Sequence, residues 1–210
     1  TQESLLLNYG AGANATLNVS SGNLEVPGDL VAGANRLATV NIGVRGGATT
    51  EIIVGGDFIV GLEGSSTVNI SGGITQISGN LVAGQNGSGT VNVSGGAVNA
   101  TSLRHLGGDD GALNLTGGTV DVDEVVHQTA NNDSNDSLKV YLGAVDEDVQ
   151  GTLITQRMYL DRTGGIDDGN KHEFLLFFDG GTLEAKSDGN LLDGITDEAG
   201  NPVWQGLIDA

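Results

Sequence analysis

Two histidines, His105 and His127, stand 22 residues apart at equivalent places in adjacent copies of a repeated string. If each copy is one turn of a coil, their imidazoles stack, and two stacked imidazoles are half of a zinc site. The simpler reading, two rung residues near a surface, is preferred. The third histidine, His172, falls in the loop-like stretch DDGNKHE. Oxygen ligands come next. Glu25, Asn99, Asp121 and Glu184 recur at one place in the repeat, and a column of carboxylates suits calcium. The acidic clusters Asp109–Asp110, Asp146–Glu147–Asp148 and Asp167–Asp168 lie in loop-like stretches, where charge ordinarily serves solubility. The calcium-binding nonapeptide GGxGxDxUx is absent. The expectation is therefore no cofactor, with calcium held as the alternative.

All these residues take their places from one repeat. Its core, Thr–hydrophobic–Asn–hydrophobic–Ser–Gly–Gly, appears as TLNVSSG (Thr16–Gly22), TVNISGG (Thr67–Gly73), TVNVSGG (Thr90–Gly96) and ALNLTGG (Ala112–Gly118). TVNIGVRGG (Thr39–Gly47) is a degraded copy. Asn18, Asn41, Asn69, Asn92 and Asn114 follow one another at spacings of 23, 28, 23 and 22. A second string trails each core: GDLVAG (Gly28–Gly33), GDFIVG (Gly56–Gly61) and GNLVAG (Gly79–Gly84), then the weaker TSLRHLG (Thr101–Gly107) and DEVVH (Asp123–His127). SLKVYLGAV, with Lys139 at the Asn position, and LLFFDGGTL, with Phe177 there, bring the expected count to about seven turns.

A unit of about 22 residues holds three short strands and three bends. Alternation sets the faces: in TVNVS, Val91 and Val93 point one way and Thr90, Asn92 and Ser94 the other. The Gly–Gly pair supplies a corner that needs positive φ. Leu24 and Val26, Val98 and Ala100, Val120 and Val122 point inward on the next strand. Leu30, Phe58, Leu81, Leu103 and Val125 open the third. The expected fold is all-β: a parallel β-solenoid, or β-helix, right-handed, with about seven coils. Residues 1–8 form an N-terminal arm or first strand, 9–160 the solenoid, and 161–210 a less regular closing coil and tail.

Composition agrees. Glycine supplies 36 of the 210 residues, against about 7% in ordinary proteins, and cysteine none. That excludes a disulfide scaffold and thiolate zinc sites. The net charge of −19 leaves too few cations for a duplex nucleic-acid interface. No apolar run approaches the roughly 20 residues of a membrane helix, so no membrane insertion is expected.

The Gly-rich repeat, clearest over Tyr9–Val125, resembles the β-helical repeats of bacterial secreted surface proteins. These include autotransporter passenger domains and repeat regions associated with PEP-CTERM-type sorting tails. FDGGTLEAKSDG (Phe178–Gly189) is similar to the closing turn of such arrays. The resemblance implies export to the extracellular space or cell surface, and a structural or adhesive role. A start at Thr1 without a leader-like segment reads as a processed N-terminus.

On the first face the expected columns are Thr16, Thr39, Thr67 and Thr90; the five asparagines; and Ser20, Ser71, Ser94 and Thr116. The preferred reading of this polar face is a hydrogen-bonded ladder that stiffens the sheet. Docking of surface glycans is the alternative. Ice binding, which uses flat Thr-rich ladders, suits a face of three mixed residue types less well. Asn18, Asn69, Asn92 and Asn114 also stand in N-x-S/T strings that the repeat itself generates. Val31, Ile59 and Val82 are expected to point outward from the third strand, as a contact strip or as a bent, partly buried edge.

Polysaccharide-active enzymes on β-helices need clustered acids and cations in a groove. Here Arg36, Arg45, Arg104, Lys139, Arg157, Arg162, Lys171 and Lys186 are scattered. No Ser-His-Asp spacing, phosphate loop or HExxH string occurs. No catalytic residue is assigned, and enzymatic activity is only a remote alternative. The ends remain. Seven rungs span only about 35 Å, too short for a reaching adhesin. A solenoid also exposes unpaired backbone at each end. Leu5, Leu6 and Leu7 at one end, and Phe174, Phe177 and Trp204 at the other, are the candidate assembly interface. The expected function is a structural subunit that polymerises with itself end to end, with strand donation by the N-terminal arm as one route. A monomeric adhesin using Thr16, Asn18, Thr67, Asn69, Thr90, Asn92 and Asn114 is the alternative.

Overall fold

The computed structural model describes residues 3–10, 13–44, 49–128, 136–143, 150–161, 172–187 and 191. The described chain contains strands and bends and no helix. The strands are β1 (Leu5–Leu7), β2 (Ala15–Val19), β3 (Gly22–Val26), β4 (Leu30–Ala32), β5 (Ala38–Ile42) and β6 (Thr50–Val54). Next come β7 (Phe58–Val60), β8 (Ser66–Ile77), β9 (Asn80–Ala83), β10 (Gly89–His105) and β11 (Gly111–Gln128). The last are β12 (Asp136–Gly143), β13 (Thr152–Thr155), β14 (Arg157–Asp161), β15 (His172–Asp179) and β16 (Thr182–Ala185).

Every strand pairs in parallel with its counterpart one turn away, which makes a three-sided β-solenoid. The first face runs β2–β5–β8–β10–β11–β12–β15. The second runs β3–β6–β8–β10–β11–β13–β16. The third runs β1–β4–β7–β9–β10–β11–β14. β8, β10 and β11 pass around one or more corners without a break in strand structure. About five turns, between Ala15 and Gln128, are regular, slightly fewer than the seven expected. The later rungs are less regular because longer connections separate their strands.

The corner between the first two faces is made where the sequence puts Gly–Gly. The second residue of the pair, a glycine also where the pair is Ser21–Gly22, takes φ of 79° at Gly22, 82° at Gly73, 80° at Gly96 and 73° at Gly118. A side chain there would meet strain, so the repeat keeps Gly.

One apolar core fills the centre. Leu30, Phe58, Leu81, Leu103, Val125 and Met158 lie one above another on the third face, each fully buried. Val40, Val68, Val91, Leu113 and Val140 do the same on the first. Each such side chain contributes about 1.5–3 kcal/mol. The second face stacks Leu24, Ile52, Thr75, Val98, Val120 and Leu153. Thr75 is fully buried there, and its hydroxyl has no hydrogen-bond partner.

Three expectations need correction. Tyr141, not Lys139, takes the Asn position above Asn114, while Phe177 does follow it. Lys139 instead continues the threonine column, above Ala112. Val31 and Val82 do turn away from the core cluster, but they are buried rather than an exposed strip, with Ile59 half-buried between them. Stacking in one column, Val31–Ile59–Val82, removes much of their surface from water. His172 opens strand β15 and is not in a loop.

Candidate functional site

The asparagine column is a continuous hydrogen-bonded ladder. Each amide Nδ2 donates to the Oδ1 one rung below: Asn41 to Asn18 at 2.7 Å, Asn69 to Asn41 at 2.8 Å, Asn92 to Asn69 at 2.8 Å and Asn114 to Asn92 at 2.7 Å. Thr16, Thr39, Thr67 and Thr90 align beside it. Above Asn114 the chemistry changes, and Tyr141 stacks on Phe177 with ring centroids 4.5 Å apart and planes 7° from parallel. The serine column is disrupted by bulges: Ser71 stands opposite Gly95, and Ser94 opposite Gly117.

A second ladder escaped the sequence reading. Asp29 Oδ1 accepts the backbone N–H of Asp57 at 2.9 Å. Asp57 Oδ1 in turn accepts the backbone and side-chain N–H groups of Asn80 at 2.7 and 3.0 Å. Ser102 Oγ donates to Asn80 Oδ1 at 2.6 Å. This is why GDLVAG, GDFIVG and GNLVAG carry Asp or Asn after the glycine. The short side chain caps a corner N–H of the next rung, as it does at turns generally. The repetition of Asp, Asp, Asn was the available signal.

The carboxylate column proposed for calcium does not come together. Glu25, Ile53, Gln76, Asn99, Asp121, Ile154 and Glu184 alternate along it, so no two carboxylates are neighbours. Asp121 faces Lys186 Nζ at 2.5 Å, and Asp123 faces the same ammonium at 2.8 Å.

At the N-terminal end Leu5–Leu7 pairs with Leu30–Ala32 of its own chain, so it is the first strand of the third face. Leu5 and Leu7 pack half-buried against the core, while Leu6 is 42% exposed. Phe174 is half-buried on the core at the other end. Phe177 is on the outer side of the same strand, against Tyr141. Trp204 lies outside the described residues.

The most unusual chemistry is inside. His105 and His127 align on adjacent rungs of the third face, and both are fully buried, not near a surface. The Arg104–Val82 register, continued by one residue, sets His105 above Ala83 in the column Leu7, Ala32, Val60, Ala83. A run of aliphatic positions is thus succeeded by imidazoles. Room for the first ring comes from glycine: a Cβ on Gly111 would fall 2.5 Å from His105 Cδ2, and one on Gly84 2.9 Å from it.

The rings meet Nδ1 to Nδ1 at 2.8 Å, with centroids 4.8 Å apart and planes tilted by 42°. His105 Nε2 lies 2.6 Å from the Asp109 carbonyl oxygen. On the far side, Asp136, 3% exposed, puts Oδ1 3.4 Å from His127 Nε2. Burial, and then the neighbouring His127, push His105 down from 6.5 to about 4, so its ring is neutral near pH 7.

Neutrality settles where the protons sit. A carbonyl only accepts, so His105 Nε2 carries the hydrogen and its Nδ1 is a bare acceptor. The bond between the rings is therefore donated by His127 Nδ1–H. The other ring nitrogen of His127, Nε2, faces Asp136, and among the described residues it has no hydrogen-bond partner. Close by, Ser137 Oγ donates to Asp110 Oδ1 at 2.7 Å, and Lys139 Nζ to Asp110 Oδ2 at 2.9 Å. Burial works to raise the Asp110 carboxyl, but these hydrogen bonds outweigh it and hold it below its ordinary range.

Comparison with protein families, curated proteins and solved structures returned no match. No helix among the described residues is long and apolar enough to cross a membrane.

Proposed function

We propose that this chain is an extracellular structural subunit, a stiff rod of stacked coils that associates end to end into a filament or surface matrix. The observation that carries the reading is the state of the two ends. Among the described residues, β1, β2 and β3 pair on one side only, and so do β15 and β16. Leu5, Leu7, Leu17 and Leu24 form a half-buried apolar slice at one end, and Phe174, Leu176, Phe178 and Leu183 at the other.

Unpaired strand edges over apolar surface are a template for another chain. In a parallel solenoid the edge on offer at one end is complementary to that at the other, so the contact is head to tail and propagates. Because Leu5–Leu7 already serves its own first rung, the contact is stacking of edges and not donation of an arm. The Asn ladder suits the same role, since it ties successive rungs into one rigid body. Export rests on the likeness of the Gly-rich repeat to secreted surface proteins.

Sedimentation and negative-stain microscopy over a concentration series test this. Filaments are expected from the wild-type chain. Leu17→Lys and Leu176→Lys each put a charge into one end slice and should stop elongation, whereas Asn69→Lys should leave it intact. Monodisperse short rods at high concentration would overturn the reading. They would favour a monomeric glycan-binding module, for which the supporting feature is a shallow groove lined by Asn18, Asn41, Asn69 and exposed Val44.

A further inference from the structure

We propose that His127 and Asp136 form a buried binding site for a divalent transition metal of the zinc type, with His105 as the residue that orients His127. The reading is independent of how the rods assemble. Three observations converge on it. His105, His127 and Asp136 come from three consecutive rungs, offer ligand atoms that all lie within 4.8 Å of one another, and are all buried. The hydrogen-bond chain from the Asp109 carbonyl through His105 engages His127 Nδ1, so Nε2 is the nitrogen left to face Asp136, and it has no hydrogen-bond partner. Metal-ligating histidines bind through one nitrogen while the other is engaged in this way. Finally, the 3.4 Å between His127 Nε2 and Asp136 Oδ1 is close to the roughly 3.3 Å that separates two ligand atoms each about 2.0–2.1 Å from a tetrahedral zinc.

A divalent ion held between His127 Nε2 and Asp136 Oδ1 would give that buried nitrogen a partner. The imidazole favours Zn2+, Co2+ or Ni2+ over calcium. His105 does not contact the ion in this arrangement. Its Nδ1 pairs with His127 Nδ1 and so fixes the orientation of that ring. Gly84 and Gly111 make the space that lets it do so.

The test uses the full chain with Co2+ and Zn2+, added both to folded protein and during refolding, since a closed site can load as the chain folds. One Co2+ per chain with a visible d–d band, displaced by Zn2+ and not by excess Ca2+, is the expected result. His127→Phe keeps an aromatic ring in the core column and Asp136→Asn keeps the shape of the acid, so both should fold, as circular dichroism can verify. Each should abolish the band. His105→Phe should weaken binding about 10–100-fold, and His105→Gln, which retains an acceptor, should recover part of it. Absence of the band in folded and in refolded wild-type chain would overturn the proposal. So would binding that survives in both His127→Phe and Asp136→Asn, because the metal would then sit on surface carboxylates.

Discussion

His105 and His127 share one hydrogen bond, Nδ1 to Nδ1 at 2.8 Å, at a level of the third face where the earlier rungs carry Ala32, Val60 and Ala83. The pair is hydrogen-bonded on one side to the Asp109 carbonyl, and on the other the Asp136 carboxylate stands 3.4 Å from His127 Nε2. A polar chain of this kind inside a narrow apolar core is stabilising only while every member is matched. Its protonation state therefore bears on the stability of the middle rungs.

Acid should weaken the fold through this pair. In the folded chain His105 titrates at about 4, against 6.5 for an ordinary imidazole. Between those values the unfolded chain binds more protons than the folded one, so stability declines as pH drops from 6.5 toward 4. Above 6.5 the group contributes its full share. The whole shift corresponds to about 3 kcal/mol. Urea unfolding in the presence of a chelator, between pH 7 and pH 4.5, reads the slope. His105→Phe should flatten it, and an unchanged slope in that variant would refute the assignment.

The Asn ladder should be worth more in its interior than at its end. Asn69 donates to Asn41 and accepts from Asn92, whereas Asn18 only accepts from Asn41. At about 1 kcal/mol per net hydrogen bond, Asn69→Ala should cost about 2 kcal/mol and Asn18→Ala about 1 kcal/mol. Denaturant midpoints at constant m-value give both numbers. Equal losses would mean that the column stiffens nothing beyond its local pairs.

Thr75 is where a polar atom can be removed with gain. It is fully buried between Ile52 and Val98 in the core column, and its Oγ1 has no partner. Valine has the same branched shape. Thr75→Val should raise stability by about 1 kcal/mol or more, because it removes a desolvated hydroxyl and opens no cavity. Thermal unfolding is sufficient to see it, and a lowered Tm would show that the hydroxyl is satisfied in solution.

Much of this architecture was legible along the chain because a solenoid repeats its instructions once per turn. The asparagine column is the clearest case. Five residues at spacings of 22 to 28, each flanked by inward aliphatics, lie in register as their sequence order implies. Other features were visible as patterns without their meaning. The Asp29–Asp57–Asn80 series stands in plain view in three strings, but its partners are the N–H groups one rung on. Lys139 and Tyr141 are two residues apart and so share a strand face, and alternation alone does not choose between them for the place above Asn114.

Periodicity and alternation by themselves determined that the chain is a parallel β-solenoid, which residues line its core, and where glycine must turn it. These are properties of one coil, set by the period of 2 along a strand and the φ that a corner demands. The tertiary structure alone decided what meets what between coils. It buried His105 and His127, set Asp136 against them from across residues 129–135, and kept Glu25 and Asp121 apart. The physical reason is that these pairings depend on how one rung seats on the next. The spacing between rungs is about 4.8 Å, and a shift of one residue would turn every side chain to the other face.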